Sequence, residues 1–154
     1  MLLDFFFLPT LPLYDILHKA LLGNISKLGF ESPTEIQDKS IGRILGGQDV
    51  VGIAGTGTGK TGAFLIPTIQ RICANPQDQS VLIITPTREL ASQIFVQFRQ
   101  LTKGMNLFVT SLIGGVSVGK SLQSLRKTNH VIIGTPGRLI DMTERGLLKL
   151  ANVN

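Results

Sequence analysis

The sequence predicts an α/β fold built on a parallel sheet, and three observations predict it. Short apolar runs alternate with amphipathic stretches along the chain. The run Ser80 to Thr85 (SVLIIT) is continuously apolar, the pattern of a strand buried on both faces. A glycine- and threonine-rich loop lies between an apolar run and a helical pattern. Strands that alternate with helices pair in parallel.

The elements follow in chain order. A helix over about Tyr14 to Leu28 places Ile16, Leu17, Leu21, Ile25 and Leu28 on one face, and Gly29 ends it. A second helix starts near Thr34 and runs to Leu45, closed by Gly46 and Gly47. Asp49 to Ala54 is a short apolar strand, followed by the loop and a helix over about Lys60 to Ala74. Pro86 ends the SVLIIT strand, and a helix over about Arg88 to Lys103 turns Ala91, Ile94, Phe95, Phe98 and Leu101 inward. Leu107 to Ile113 is a third strand, ending at Gly114 and Gly115. A helix over about Ser117 to Arg126 precedes a fourth strand, His130 to Gly134. Pro136 to Arg145 is a last helix, and LLKLANVN reads as a connection toward a further strand.

A chain of 154 residues holds one domain with a core, not two. Its 43% apolar and 16% charged residues exclude a disordered chain. The net charge of +5 is compatible with a polyanionic partner. Cys73 is the only cysteine, so neither an internal disulfide nor a thiolate zinc cluster is available. Its neighbours Ile69 and Ile72 place it on a core-facing helix surface. His18 and His130 share no metal-ligand spacing and read as structural. Residues 1–13 are an irregular apolar extension. Asp4, Pro9 and Pro12 interrupt it, so it fits neither a signal peptide nor a membrane helix of about 20 apolar residues. No membrane association is expected, and the expected location is cytoplasmic, with the nucleus also open.

The strongest local signal is Ala54-Gly55-Thr56-Gly57-Thr58-Gly59-Lys60-Thr61. Glycines let a backbone turn tightly and aim several N–H groups at one point. A helix N-terminus adds partial positive charge there. Thr56, Gly57, Thr58 and Gly59 are candidates to cradle phosphates. Lys60 is placed to reach a β/γ-phosphate pair, and the Thr61 hydroxyl to meet Mg²⁺. The bland alternative is a flexible turn with a chance Gly-Lys-Thr. The chain holds no Asn-Lys-x-Asp guanine-reading segment, which favours adenine.

Four further segments surround this loop: Gly29-Phe30-Glu31-Ser32-Pro33-Thr34-Glu35-Ile36-Gln37, Pro86-Thr87-Arg88-Glu89-Leu90-Ala91, Gly114-Gly115 and Thr135-Pro136-Gly137-Arg138. In this order, residues 14–154 resemble part of the RecA-like ATP-binding domain of DEAD-box RNA helicases, a three-layer P-loop fold. The resemblance implies ATP and Mg²⁺ as cofactors and RNA as partner, held by its backbone with little base specificity. It implies that Gln37 reads the adenine edge and that Phe30 stacks on its face. It makes Pro86, Thr87 and Arg88, Gly114 and Gly115, and Thr135, Pro136, Gly137 and Arg138 three RNA-backbone corners. Hydroxyl, guanidinium and helix-start donors suit phosphates, although plain helix capping by Thr87 explains the same residue. Glu89 reads as a brace for nearby loops. Pro12 stands where the family usually carries an upstream aromatic, with Tyr14 or Phe7 as substitutes, and Gly55 stands where many relatives carry a longer polar side chain.

The chain contains no Asp-Glu-Ala-Asp and no Ser-Ala-Thr segment. The resemblance therefore implies a C-terminally incomplete domain that also lacks a second RecA-like domain. Hydrolysis and strand separation are not expected from these 154 residues alone. Without interior strands, apolar sheet edge is left open, which predicts marginal stability or self-association. A stand-alone ATP- and RNA-binding module without turnover is the alternative. Another P-loop enzyme, such as a small kinase, leaves Pro86–Ala91 and Thr135–Arg138 unexplained.

Overall fold

A computed structural model describes residues 17–75 and 81–153. The expected extension over residues 1–13, the start of the first helix and Ser80 lie outside the described residues. The order is α1 (Lys19–Lys27), α2 (Glu35–Leu45), α3 (Lys60–Ala74), β1 (Val81–Ile84), α4 (Arg88–Leu101), β2 (Val109–Leu112), α5 (Val118–Leu125), β3 (Val131–Gly134) and α6 (Pro136–Glu144). A 3₁₀ turn, Leu150–Asn152, stands where the connection was expected.

The sheet is parallel, ordered β1-β3-β2, and its register sets Ile84, Gly134 and Leu112 side by side at the strands' carboxyl ends. Side chains alternate across a strand, so β3 feeds two cores. Val131 and Ile133 join Leu21, Ile41, Leu65, Ile69, Ala91 and Phe98 on one face. Ile132 joins Leu112, Leu139, Met142 and Leu148 on the other. Helices on both faces of a sheet make three layers, as the sequence predicts.

Local chemistry fixes the helix ends. The His18 ring accepts a hydrogen bond from Ala20 N–H, so α1 starts at Lys19, later than the sequence reading puts it. At its far end Gly29 has φ +79°, Gly29 N–H donates to Ser26 O, and Phe30 N–H donates to Ile25 O. Those two bonds are a Schellman ending, which requires a left-handed residue where Gly29 stands. The buried Asn24 amide donates to Leu101 O (2.8 Å) and Lys103 O (2.9 Å), locking α1 to the end of α4. Cys73 is half-buried against the core, and burial pushes its thiol pKa up. The core-filling reading of that residue fits.

Two sequence expectations need correction. Asp49–Ala54 forms no strand: a strand needs a ladder partner, and none of the three strands pairs with this segment. Val51 and Ile53 are each 91% exposed there. The second correction concerns the extent of burial along β1. Val81 and Ile83 pack against one core and Leu82 against the other, so both faces are covered, but all three are only half-buried and Ile84 at the strand's end is 60% exposed.

Candidate functional site

The loop before α3 owes its shape to two left-handed glycines, Gly57 (φ +77°) and Gly59 (φ +88°). Thr58 Oγ donates to Gly55 O at 2.8 Å, closing the turn. Among the described residues, no backbone N–H from Gly55 to Gly59 donates to another backbone group. Those unpaired donors stand beside the N-terminus of α3, an arrangement whose chemistry suits an anion. The Lys60 ammonium folds back onto the loop, donating to Ala54 O and to Gly55 O (2.6 Å). Thr61, in the first turn of α3, is half-buried.

Gln37 ties a second segment to this loop. It is 7% exposed. Its Oε1 accepts from Thr34 N–H (3.0 Å), and its Nε2 donates to Gly59 O (3.0 Å). An amide oxygen has two lone pairs and an amide nitrogen two hydrogens, so each end keeps capacity for one further bond. The packing demands glycine on both sides of Lys60. A Cβ at Gly59 would lie 2.7 Å from Gln37 Nε2 and 2.9 Å from Thr34 Oγ1, and a Cβ at Gly62 would lie 2.7 Å from the same Nε2. Motif reading missed Gly62. Its signal is a glycine in the first turn of a helix, where propensity alone argues against it. Phe30 is 40% exposed and shares a small cavity wall with Gln37, Ser32 and Pro33. The structure thus sets Phe30 beside Gln37 and ties Gln37 to the loop at Gly59.

A larger cavity of about 490 Å³ opens beside the loop, lined by Thr34, Glu35, Ile36, Lys39, Ile53, Ala54, Gly55 and Thr58. Among the described residues, no group of three or more His, Cys, Asp or Glu side chains stands close enough to hold a metal by itself. No described helix is long and apolar enough to cross a membrane.

The other three segments gather at the carboxyl edge of the sheet. Thr85 N–H donates to Gly134 O (2.9 Å), and Thr135 N–H donates to Leu112 O (3.2 Å), so all three strand ends are pinned together. Pro86, Thr87 and Arg88 are exposed, and Thr87 Oγ1 caps α4 by accepting from Leu90 N–H (3.2 Å). Pro136 occupies the first turn of α6, and it and Gly137 are exposed. Glu89 is exposed in the first turn of α4, where its charge suits the helix dipole.

Arg138, which the resemblance places in the third RNA corner, has a side chain only 11% exposed. Nη1 donates to Asp141 Oδ2 (3.1 Å), and Nη2 donates to Val116 O (2.9 Å) and Ser121 Oγ (2.9 Å). Arg138 is therefore a brace between α6, α5 and the loop after β2. Asp141 also accepts from Arg145 Nε (2.5 Å). That hydrogen bond is the main reason its carboxyl titrates below the usual range, burial opposing it and the charges of Arg145 and Arg138 helping.

A parallel α/β sheet with a glycine-rich loop at one helix start, and exposed helix starts at its strands' carboxyl ends, is the architecture of a class of nucleotide-dependent domains. A family profile described as DEAD/DEAH box helicase matches residues 34–154. The chain belongs to the DEAD/DEAH box helicase family. It is 40% identical over 130 residues to the RNA helicase CrhR of Synechocystis, covering 84% of this chain and 26% of that protein. Among solved structures it resembles a DEAD box protein from the hyperthermophile Methanococcus jannaschii (TM-score 0.82, 37% identity, 90% of this chain, 38% of that one). It also resembles the yeast DEAD-box splicing factor Prp28 (TM-score 0.83, 34% identity, 91% and 36%). The chain spans about a quarter of the length of the curated relatives it matches.

Proposed function

We propose that this chain is the ATP- and RNA-binding part of an ATP-dependent RNA helicase, and that these 154 residues bind without turnover. The observation that carries the nucleotide half is the Gln37 bridge: one buried amide joins Thr34 N–H to the phosphate loop at Gly59 O. An amide that still has one donor and one acceptor free, beside exposed Phe30, suits the adenine edge, which offers a paired acceptor and donor. The loop donors suit phosphates. Lys60 would leave its carbonyl contacts to meet them. Thr61, whose hydroxyl carries no hydrogen bond among the described residues, would help hold Mg²⁺. Bound Mg²⁺ supplies charge neutralisation at the phosphates.

For the RNA half, Pro86–Arg88 and Pro136–Gly137 present exposed helix starts along one edge. Such starts recognise phosphate without reading bases. The whole protein would couple this binding to ATP hydrolysis and duplex remodelling, using acidic and second-domain groups outside these residues.

Competition binding tests the proposal. A fluorescent ATP analogue bound to the chain should be displaced by ATP and not by equimolar GTP, and Gln37→Ala should erase the difference. Equal displacement by both nucleotides in the unaltered chain would refute the adenine reading.

A further inference from the structure

Gly114 and Gly115 end β2, and the sequence reading lets RNA approach their bare backbone directly. The structure places something else there. A Cβ built on Gly114 would lie 2.7 Å from Arg88 Nη2, 3.0 Å from Cζ and 3.1 Å from Nε, and one built on Gly115 would lie 3.1 Å from Nη1. The Arg88 guanidinium lies against both peptide units. Gly115 is doubly constrained, because its φ is +86°.

We infer that the glycine pair is a seat for the Arg88 guanidinium, and that Gly114 is a positioning residue that acts on RNA through Arg88. This rests on the RNA-binding reading above. Arg88 is exposed and, among the described residues, has no hydrogen-bond or ion-pair partner. Arg138, by contrast, is committed to three acceptors. A guanidinium held against backbone keeps its N–H fork available for bidentate contact with a phosphodiester. Holding it there before binding removes part of the ordering cost. The seat itself is fastened from the other side: Arg138 Nη2 grips Val116 O, the carbonyl next to Gly115. The three corners are thus one linked unit, with Arg88 as its contact group and Arg138 as its brace.

The test is a double-mutant cycle on the full 154-residue chain. Binding of a fluorescein-labelled single-stranded oligouridine is followed by anisotropy at several KCl concentrations. Gly114→Ala should weaken binding roughly tenfold, the scale of one charge-assisted contact. It should also lower the salt slope by about 0.7, the value for one phosphate contact on a single strand. Arg88→Ala should do the same, and the double variant should be no worse than either single one. The Arg88 Nε–Hε resonance should move in Gly114→Ala without RNA present.

Several outcomes overturn the inference. One is wild-type affinity in Gly114→Ala. Another is a Gly114→Ala penalty that persists undiminished in the Arg88→Ala background, which would mean that RNA touches the glycine backbone itself. Loss of the cooperative melt in Gly114→Ala also counts against it, because the three atoms nearest the new Cβ all belong to the outer end of one exposed side chain, which the chain can displace without unfolding. If the unaltered chain fails to bind the oligonucleotide, the RNA reading falls. The resonance then decides the seat alone, and an unmoved Arg88 signal overturns it.

Discussion

Gly62→Ala separates two opposed effects at the nucleotide site. Alanine in place of a helical glycine stabilises by up to about 1 kcal/mol. Against this, the new Cβ would lie 2.7 Å from Gln37 Nε2, with Gln37 Cδ at 3.6 Å and Ile66 Cδ1 at 3.7 Å. Gln37 is buried, so it cannot swing into water without giving up its bonds to Thr34 N–H and Gly59 O. Two such bonds at about 1 kcal/mol each total about 2 kcal/mol. The net expectation is destabilisation of about 1 kcal/mol. In a Gln37→Ala background the obstacle is gone, and the sign should reverse to a stabilisation approaching 1 kcal/mol. Urea unfolding at 25 °C on the four chains measures this directly. The reasoning fails if Gly62→Ala changes stability by the same amount, with the same sign, in both backgrounds.

Other expectations concern the sheet and its open edge. His130 is buried and stacked on Phe108 at 5.7 Å, and its Nδ1 accepts from Phe108 N–H (3.0 Å). Burial lowers its pKa below the ordinary 6.5. The unfolded chain therefore takes up that proton first, so the contribution is complete above pH 6.5 and declines as the pH falls below it. Melting temperature should drop between pH 7.5 and 5.5 (roughly one unit either side of the free histidine pKa), and His130→Asn, which keeps an acceptor, should flatten the slope. An equally steep slope in that variant would assign the titration elsewhere. Ile84 on the edge strand β1, and Val51 and Ile53 in the segment before the loop, are exposed apolar side chains. The chain should form concentration-dependent larger species on size exclusion, and Ile53→Lys should reduce them. A monomer at every concentration, with a cooperative melt, would contradict this.

The legible parts of the fold were those whose cause is local. The period of Ala91, Ile94, Phe98 and Leu101 defines the inner face of α4, and Gly29 and Thr34 mark helix ends because backbone geometry and capping act within one turn. The errors arose where the outcome depends on a distant partner. Residues 49–54 have the composition of a strand and lack a neighbour to pair with, and the apolar run of β1 is only half-buried, with Ile84 left exposed at its end. The same division holds at the site. The loop's glycines were readable from their spacing, since two of them adopt positive φ. Arg138 and Gly62 were not, because their roles are set by Val116, Ser121 and Gln37, each remote in sequence. An arginine in a phosphate-binding string and an arginine bracing that string look identical until their neighbours are known.

The central claim is an adenine-selective site made by the phosphate loop and Gln37. Thermal unfolding of the chain with Mg-ATP, with Mg-GTP and with neither, repeated on Lys60→Ala, tests it most directly. Ligand at a hundred times its Kd adds about 2.7 kcal/mol to the native state, which for a domain of this size is a rise of roughly 5–10 °C. The account predicts that rise with ATP alone, and its loss in Lys60→Ala. A cooperative transition that ATP leaves in place, or that GTP raises equally, would contradict it.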